Sequence, residues 1–154
     1  MPSTITELSP AECEQLLHAG AFGRLVLAHG PRGAEILPVN YTTVDHAILV
    51  HAASGSILDA HADGAELLFE VDHVDYERAQ GWSVVARGRG ARITDDERTE
   101  QERHVPGPPR WLDRDQGVWI RLTWDEVTGR RVGEGWDCLA AMPVRRAPMG
   151  TARR

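Results

Sequence analysis

"FGRLVLAHGPRGAEILPVNYTTVDHAILVHA", residues 22–52, decides the fold class. "FGRLVLAH" (22–29) reads as a strand, "GPRG" (30–33) as a tight turn, and "AEILPVNYTTV" (34–44) as a second strand. Asp45-His46 turns the chain into a third strand, "AILVHA" (47–52). Apolar and β-branched runs punctuated by Gly, Pro and Asp at short intervals are the mark of a β-meander.

Outward from the meander the same period continues. "AELLFEVDHV" (65–74), "GWSVVARGRGARI" (81–93) and "GVWIRLTWDEVTGRRV" (117–132) supply a fourth, fifth and sixth strand. The fifth alternates Val84 and Ala86 with Arg87 and Arg89. A helix precedes the meander in "SPAECEQLLHAG", with Ser9 as N-cap, Pro10 at the first helical position, Glu12 at the capping-box position and Gly20 as the stop. A short helix is expected at 56–63 and a second at 94–104, capped by Thr94 and polar nearly all round, hence on the surface. "VPGPPRWLDRDQ" (105–116) reads as a proline-rich loop. Six strands with few helices predict a mainly β fold, a six-stranded closed or nearly closed barrel, since closure removes the exposed edges of a meander. One domain is expected over 1–144, with a disordered basic tail at 145–154.

Composition narrows the function classes. A net charge of −6 over 154 residues lacks the basic face that a general nucleic-acid binder needs. All basic charge is arginine, with no lysine. The N-terminal "MPSTITELSP" has neither the basic nor the apolar region of a signal peptide, and no apolar run is long enough to span a bilayer. Cys13 and Cys138 match no metal spacing and read as free thiols in a reducing cytosol. A cytoplasmic protein without membrane or nucleic-acid partners is expected.

Four stretches are candidate sites, each with an ordinary alternative. "LVHAASGSILDAH" (49–61) runs from a strand through a small-residue loop into a helix. Its backbone N–H groups, with Ser54 and Ser56, suit a phosphate; read alone it is an ordinary strand-to-helix turn capped by Ser56. A metal bound by His51 and His61, with His46, Asp59 or Asp63, has no ligand spacing to recommend it. In "PVNY" (38–41), Pro38 removes a ladder donor, which marks an edge, a bulge or a backbone on which a ligand docks. In "GWSVVARG" (81–88), Trp82 and Ser83 could wall a ring ligand, or Trp82 could be a core anchor. "TGRR" (128–131), with Trp119, Trp124 and Trp136, could complete a site or an interface, or be surface charge. No nucleophile elbow, zinc-protease, Walker or dinucleotide motif is present.

The order "GRLV", "PVNY", "HAASGSILDA", "FEVDHVD", "GWSVVARG", "WIRL" and "VTGRR", from about Leu8 to Arg131, resembles the pyridoxamine 5′-phosphate oxidase-like, FMN-binding split β-barrel family in its small actinobacterial form. The resemblance implies a six-stranded split barrel working as a homodimer with flavin sites across the interface. It implies a flavin ring against Pro38, Val39, Asn40 and Tyr41, and a phosphate at His51, Ala52, Ser54, Gly55, Ser56 and Ile57. Trp82, Ser83 and Val84 would add further contacts. The implied activity is an FMN-dependent oxidoreductase with no catalytic residue assigned. The alternative is a barrel that has lost FMN and binds deazaflavin or haem, with His51 and His61 as first ligands, or that acts as a non-redox binding protein.

The chain departs from the family at the phosphate. His51, Ala52 and Ile57 stand where the family often has arginine, threonine and lysine, although relatives resembling nitroimidazole-resistance proteins also carry the histidine. Losing two charge-assisted hydrogen bonds, roughly 1.5–3 kcal/mol each, weakens binding by about two to four orders of magnitude. Arg24 and Arg87 are the candidate replacements.

Overall fold

In the computed structural model, which describes residues 4–104 and 117–142, the expected meander is present with one strand divided and one added. The elements are β1 (Ile5–Glu7), α1 (Pro10–Ala19), β2 (Phe22–Gly30), β3 (Gly33–Asn40), β4 (Thr42–Val44), β5 (Ala47–Ala53), α2 (Ile57–His61), β6 (Glu66–Asp75), β7 (Gln80–Ile93), α3 (Glu100–His104) and β8 (Gly117–Val132). Eight antiparallel strands therefore replace the expected six. The strand expected over 34–44 is two, because Tyr41 turns inward: its N–H donates to the Ala21 carbonyl (3.0 Å) and its hydroxyl to the Leu17 carbonyl (2.7 Å). β1 pairs with the end of β8, Ile5 opposite Val132, and at three residues is too short to show a period.

The strands lie in the order β3-β2-β6-β7-β8-β5-β4. The two ends of that path, β3 and β4, are consecutive in the chain and joined at Tyr41 alone, so the sheet must curl until its edges meet. The registers show how. Pro38 shares a row with Arg24, Glu70, Val85 and Thr128. Thr42 shares one with Leu49 and Arg121. A short step forward from Pro38 to Thr42 has become a step backward along β8. That stagger is the strand tilt a barrel requires.

Leu25, Leu27, Tyr41, Ile48, Leu67, Phe69 and Val84 fill the interior, all fully buried. Burying an aliphatic side chain of this size is worth about 1.5–3 kcal/mol. α1 adds Cys13, Leu16 and Leu17 to that core. Its capping box forms as the sequence predicts: Glu12 N–H donates to Ser9 Oγ (3.2 Å) and Ser9 N–H to Glu12 Oε2 (2.8 Å). The Ser9 N–H holds the Glu12 carboxyl below the usual range. Cys13 and Cys138 are free and buried, and burial pushes both thiols up.

The segment 94–104 differs from expectation. Only Glu100–His104 is helical, and it is not solvated all round. Outside the barrel, Leu49, Ile93 and Trp119 form a second, smaller cluster. The segment straps it down: Asp95 accepts from Trp119 Nε1 (2.7 Å) and the Arg98 guanidinium lies 4.1 Å from the indole centre. Glu102, 3% exposed, takes both arms of Arg121 at 2.7 and 2.9 Å. The proline-rich stretch 105–116 and the tail 145–154 fall outside the described residues.

Candidate functional site

β5 ends at Ala53 and the chain turns through Ser54, Gly55 and Ser56 into α2. Gly55 has φ +78°, a left-handed conformation that favours glycine, and nothing lies within 4 Å of where a side chain would begin. Ser56 caps α2, its hydroxyl accepting from Asp59 N–H at 3.3 Å. The Asp59 carboxylate folds back over the loop. One oxygen accepts from Gly55 N–H (2.8 Å), the other from Arg92 Nε (2.6 Å). Those two bonds, Arg92 first, hold the Asp59 carboxyl below the usual range, and the Arg92 guanidinium is held above its own. The Arg92 side chain remains 42% exposed.

Arg92 is thus the cation at the loop, and the two arginines expected there are engaged elsewhere. Arg24 pairs with Glu70 (2.7 Å) and Asp72 (3.3 Å). Arg87 pairs with Glu66 (3.1 Å) and Glu126 (3.5 Å). Sequence reading had no access to Arg92 because the contact spans 33 positions and depends on β7 running beside β8, which places Arg92 opposite Ile120. Ile57, at the family's lysine position, is half-buried and packs on the barrel core. Ala52 is also buried in that core.

His51 points to the outer side of the barrel with Leu49, as the strand period predicts. Its ring meets Trp119 edge-on at 5.1 Å, and its other flank lies so close to Gly117 that a Cβ there would collide with it. His61 ends α2, exposed. No group of three or more metal-type side chains gathers among the described residues.

β3 brings Pro38, Val39 and Asn40 beside β5 where the sheet edges meet. Pro38 is exposed on the outer face, Val39 packs inward, and Asn40 is half-exposed. Tyr41 has no exposed surface: it stacks on Phe69 (4.6 Å between ring centres) and is a core residue.

β7 is the middle strand of the path, three steps from either end; Arg92 near its finish reaches the Gly55 loop, whereas Trp82–Val84 lie eight to ten residues earlier along it. Trp82 (3% exposed) and Val84 (fully buried) face the interior, which fits the core-anchor alternative for Trp82. Ser83 alone of the three looks outward, into a groove of about 510 Å³ walled by Ile5, Val74, Tyr76, Arg130 and Val132. Of the aromatic and arginine cluster considered around "TGRR", Trp136 and Arg131 come together around one small pocket, and the other tryptophans lie elsewhere. Trp119 belongs to the outer cluster, Trp124 sits between His18 and His46, and Trp136 donates to the Val132 carbonyl (3.1 Å).

On the outer face of β2 and β6, between β3 and β7, Glu70 accepts from Arg24. Its own desolvation, and then Asp72 beside it, outweigh that attraction and push its carboxyl above the usual range. A raised acid holds its proton more tightly in the folded than in the unfolded chain. Its stabilising contribution is therefore present below the ordinary carboxylate pKa and is lost as pH rises through the raised value. Glu70→Gln, neutral throughout, is expected to abolish that fall when the thermal midpoint is followed between about pH 4 and 7; parallel wild-type and variant profiles would refute it.

The family model "Pyridoxamine 5′-phosphate oxidase" matches residues 9–131. A protein of Mycobacterium tuberculosis, Rv0080, is 29% identical over 136 residues, covering 83% of this chain and 86% of its own. The solved FAD binding protein from Mycobacterium smegmatis superposes with a TM-score of 0.69 at 32% identity, over 82% of this chain and 98% of that one. An FAD and heme binding protein from the same organism shares the fold at 19% identity, with a TM-score of 0.61 over 84% of this chain and 74% of that one.

Proposed function

The chain belongs to the pyridoxamine 5′-phosphate oxidase family, and from that premise we propose that it is a flavin-dependent oxidoreductase whose cofactor lies between two copies. The observation that carries the reading is the loop at Ser54–Ser56. The Gly55 N–H and the Arg92 guanidinium converge there on one anionic group, the Asp59 carboxylate. This is the donor set a flavin phosphate needs, so the residues present fit the cofactor. A solved relative at 32% identity is named an FAD binding protein, which supports a flavin; FMN, with its single terminal phosphate, is the form we propose.

In this reading His51, Ala53, Ser54, Gly55, Ser56 and Arg92 hold the phosphate end. The exposed β3 edge at Pro38–Asn40 receives the ring, where Pro38 leaves no N–H to compete. The bound flavin supplies acceptance and release of a hydride or electron pair. The chain's own work is to orient the ring and exclude water from it. Ser83 and its groove, at the other end of β7 from Arg92, serve the site of a second copy. The outer surface there carries the Arg24–Glu70–Asp72 ion cluster and also exposes apolar side chains, Ile36 at 66%, Val74 at 52% and Ile5 at 64%. A homodimer covers it.

Among the described residues no helix is long and apolar enough to cross a membrane. The free buried thiols support a cytoplasmic location.

The test is the visible spectrum of the purified protein followed by fluorescence titration with FMN and with FAD. Bound-flavin bands, or quenching at micromolar flavin, are expected. A colourless protein that quenches neither at high micromolar concentration overturns the reading.

A further inference from the structure

The family's lysine position is filled by a core isoleucine, Ile57, yet a full positive charge stands at the loop on another strand. We infer that Arg92 is the residue that selects phosphorylated flavin in this chain, and that Asp59 is a built-in competitor occupying the phosphate position until the ligand displaces it. The inference rests on the flavin reading above and adds to it the source of specificity.

Three observations carry it. First, one carboxylate already takes both donors, Gly55 N–H at 2.8 Å and Arg92 Nε at 2.6 Å. The two donors are therefore aimed at a common anionic centre, and a carboxylate and a phosphate share the geometry that a guanidinium fork recognises. Second, Arg92 is anchored from behind: its own N–H donates to Asp63 Oδ1 (2.9 Å). The β7 backbone is fixed while the guanidinium stays 42% exposed, so releasing Asp59 does not require moving the strand. Third, Arg92 is the arginine of this region whose carboxylate partner is the loop's own Asp59, with Asp63 and Glu97 adding negative charge around it, whereas the others are paired away from the loop. Arg24 and Arg87 each have two carboxylates, and Arg89 donates to the Gly64 carbonyl (2.9 Å).

Asp59 also has an ordinary role, capping the first turn of α2. Capping alone predicts that its removal affects stability and leaves affinity for flavin phosphate unchanged. Competition predicts the reverse. A dianion entering the loop takes the Gly55 N–H and the guanidinium, and Asp59 must turn out to solvent. Neutralising it by Asp59→Asn keeps an oxygen to accept from Gly55 N–H while removing the charge that opposes the phosphate.

Full-length wild type, Arg92→Ala, Arg92→Lys and Asp59→Asn are each titrated with FMN and with riboflavin, which has the same ring and no phosphate. The thermal midpoint of each variant checks its folding. Arg92→Ala is expected to weaken FMN roughly 10- to 100-fold, with riboflavin unchanged and Arg92→Lys recovering part of the loss. Asp59→Asn is expected to tighten FMN roughly tenfold and leave riboflavin unchanged. If wild type binds FMN but Arg92→Ala shifts FMN and riboflavin equally, or shifts neither, Arg92 has no such role. If Asp59→Asn binds FMN no more tightly, the competition is overturned. A wild type that quenches neither flavin overturns the flavin reading itself, a result distinct from either.

Discussion

Glu102→Ala is expected to lower the thermal midpoint by about 6–12 °C, the largest effect of any single side-chain truncation outside the barrel core. Glu102 is 3% exposed and receives Arg121 Nε and Nη2 at 2.7 and 2.9 Å. It also accepts from Thr99 N–H (3.1 Å), closing a capping box with the Thr99 hydroxyl. Removing the carboxylate leaves the Arg121 guanidinium, 22% exposed, without its partner in a partly dry site. Breaking such a pair costs about 3 kcal/mol, and about 2–4 °C follow from each kcal/mol in a chain of this size.

The damage also has a direction. Strap 94–104 holds Trp119 through Asp95 and Arg98, and Trp119 is the ring against which His51 packs. Flavin affinity should therefore fall together with stability. Changing both partners, Glu102→Leu with Arg121→Met, is expected to recover much of the midpoint, because a buried pair replaced by apolar groups leaves no orphaned charge. A double variant as unstable as the single one would show that the strap is held by something else. Differential scanning calorimetry of the three variants decides it.

The strap shows where sequence reading stops. "TDDERTEQERH" has no apolar face, and a polar segment reads as solvated when its partner is unknown. Its partner is an arginine on β8, in the middle of a strand that otherwise reads as core. The same blindness hid Arg92. In both cases the decisive contact is an ion pair across many positions, and hydropathy periods carry no charge-pair information. What periods do carry was legible. The capping box at Ser9–Glu12, the alternation of Val84 and Ala86 with Arg87 and Arg89 along β7, and the sharing of one face by His51 and Leu49 all follow from spacing within one element. Tyr41 sits between these cases. Its presence in the family's ring-binding stretch suggested a ligand contact. The inward turn that splits the strand depends on a hydrogen bond to Leu17 at the end of α1, which no local pattern reports.

Two variants that each fail to bind flavin should bind it when mixed. Ser83 looks outward near the start of β7, while Arg92, the cation at the Gly55 loop, stands nine residues further along the same strand, roughly 30 Å away, and Pro38–Asn40 lie three strands across the sheet. One flavin cannot reach from the Gly55 loop to Ser83 over that distance within a single copy. The two sets serve one site only if a second copy supplies one of them, and a two-fold dimer then makes two such sites. Gly55→Glu places a like charge in the loop and forces a side chain into φ +78°; Ser83→Trp fills the groove beside Arg130 and Val74. Each alone is expected to abolish flavin binding while leaving a dimer of twice 17.0 kDa by light scattering. After unfolding and refolding as an equal mixture, about half of the dimers are mixed, and each mixed dimer holds one site with both halves intact. About a quarter of wild-type flavin capacity should return. A site built within one copy gives no recovery at any mixing ratio, and a monomer by light scattering would remove the shared site altogether.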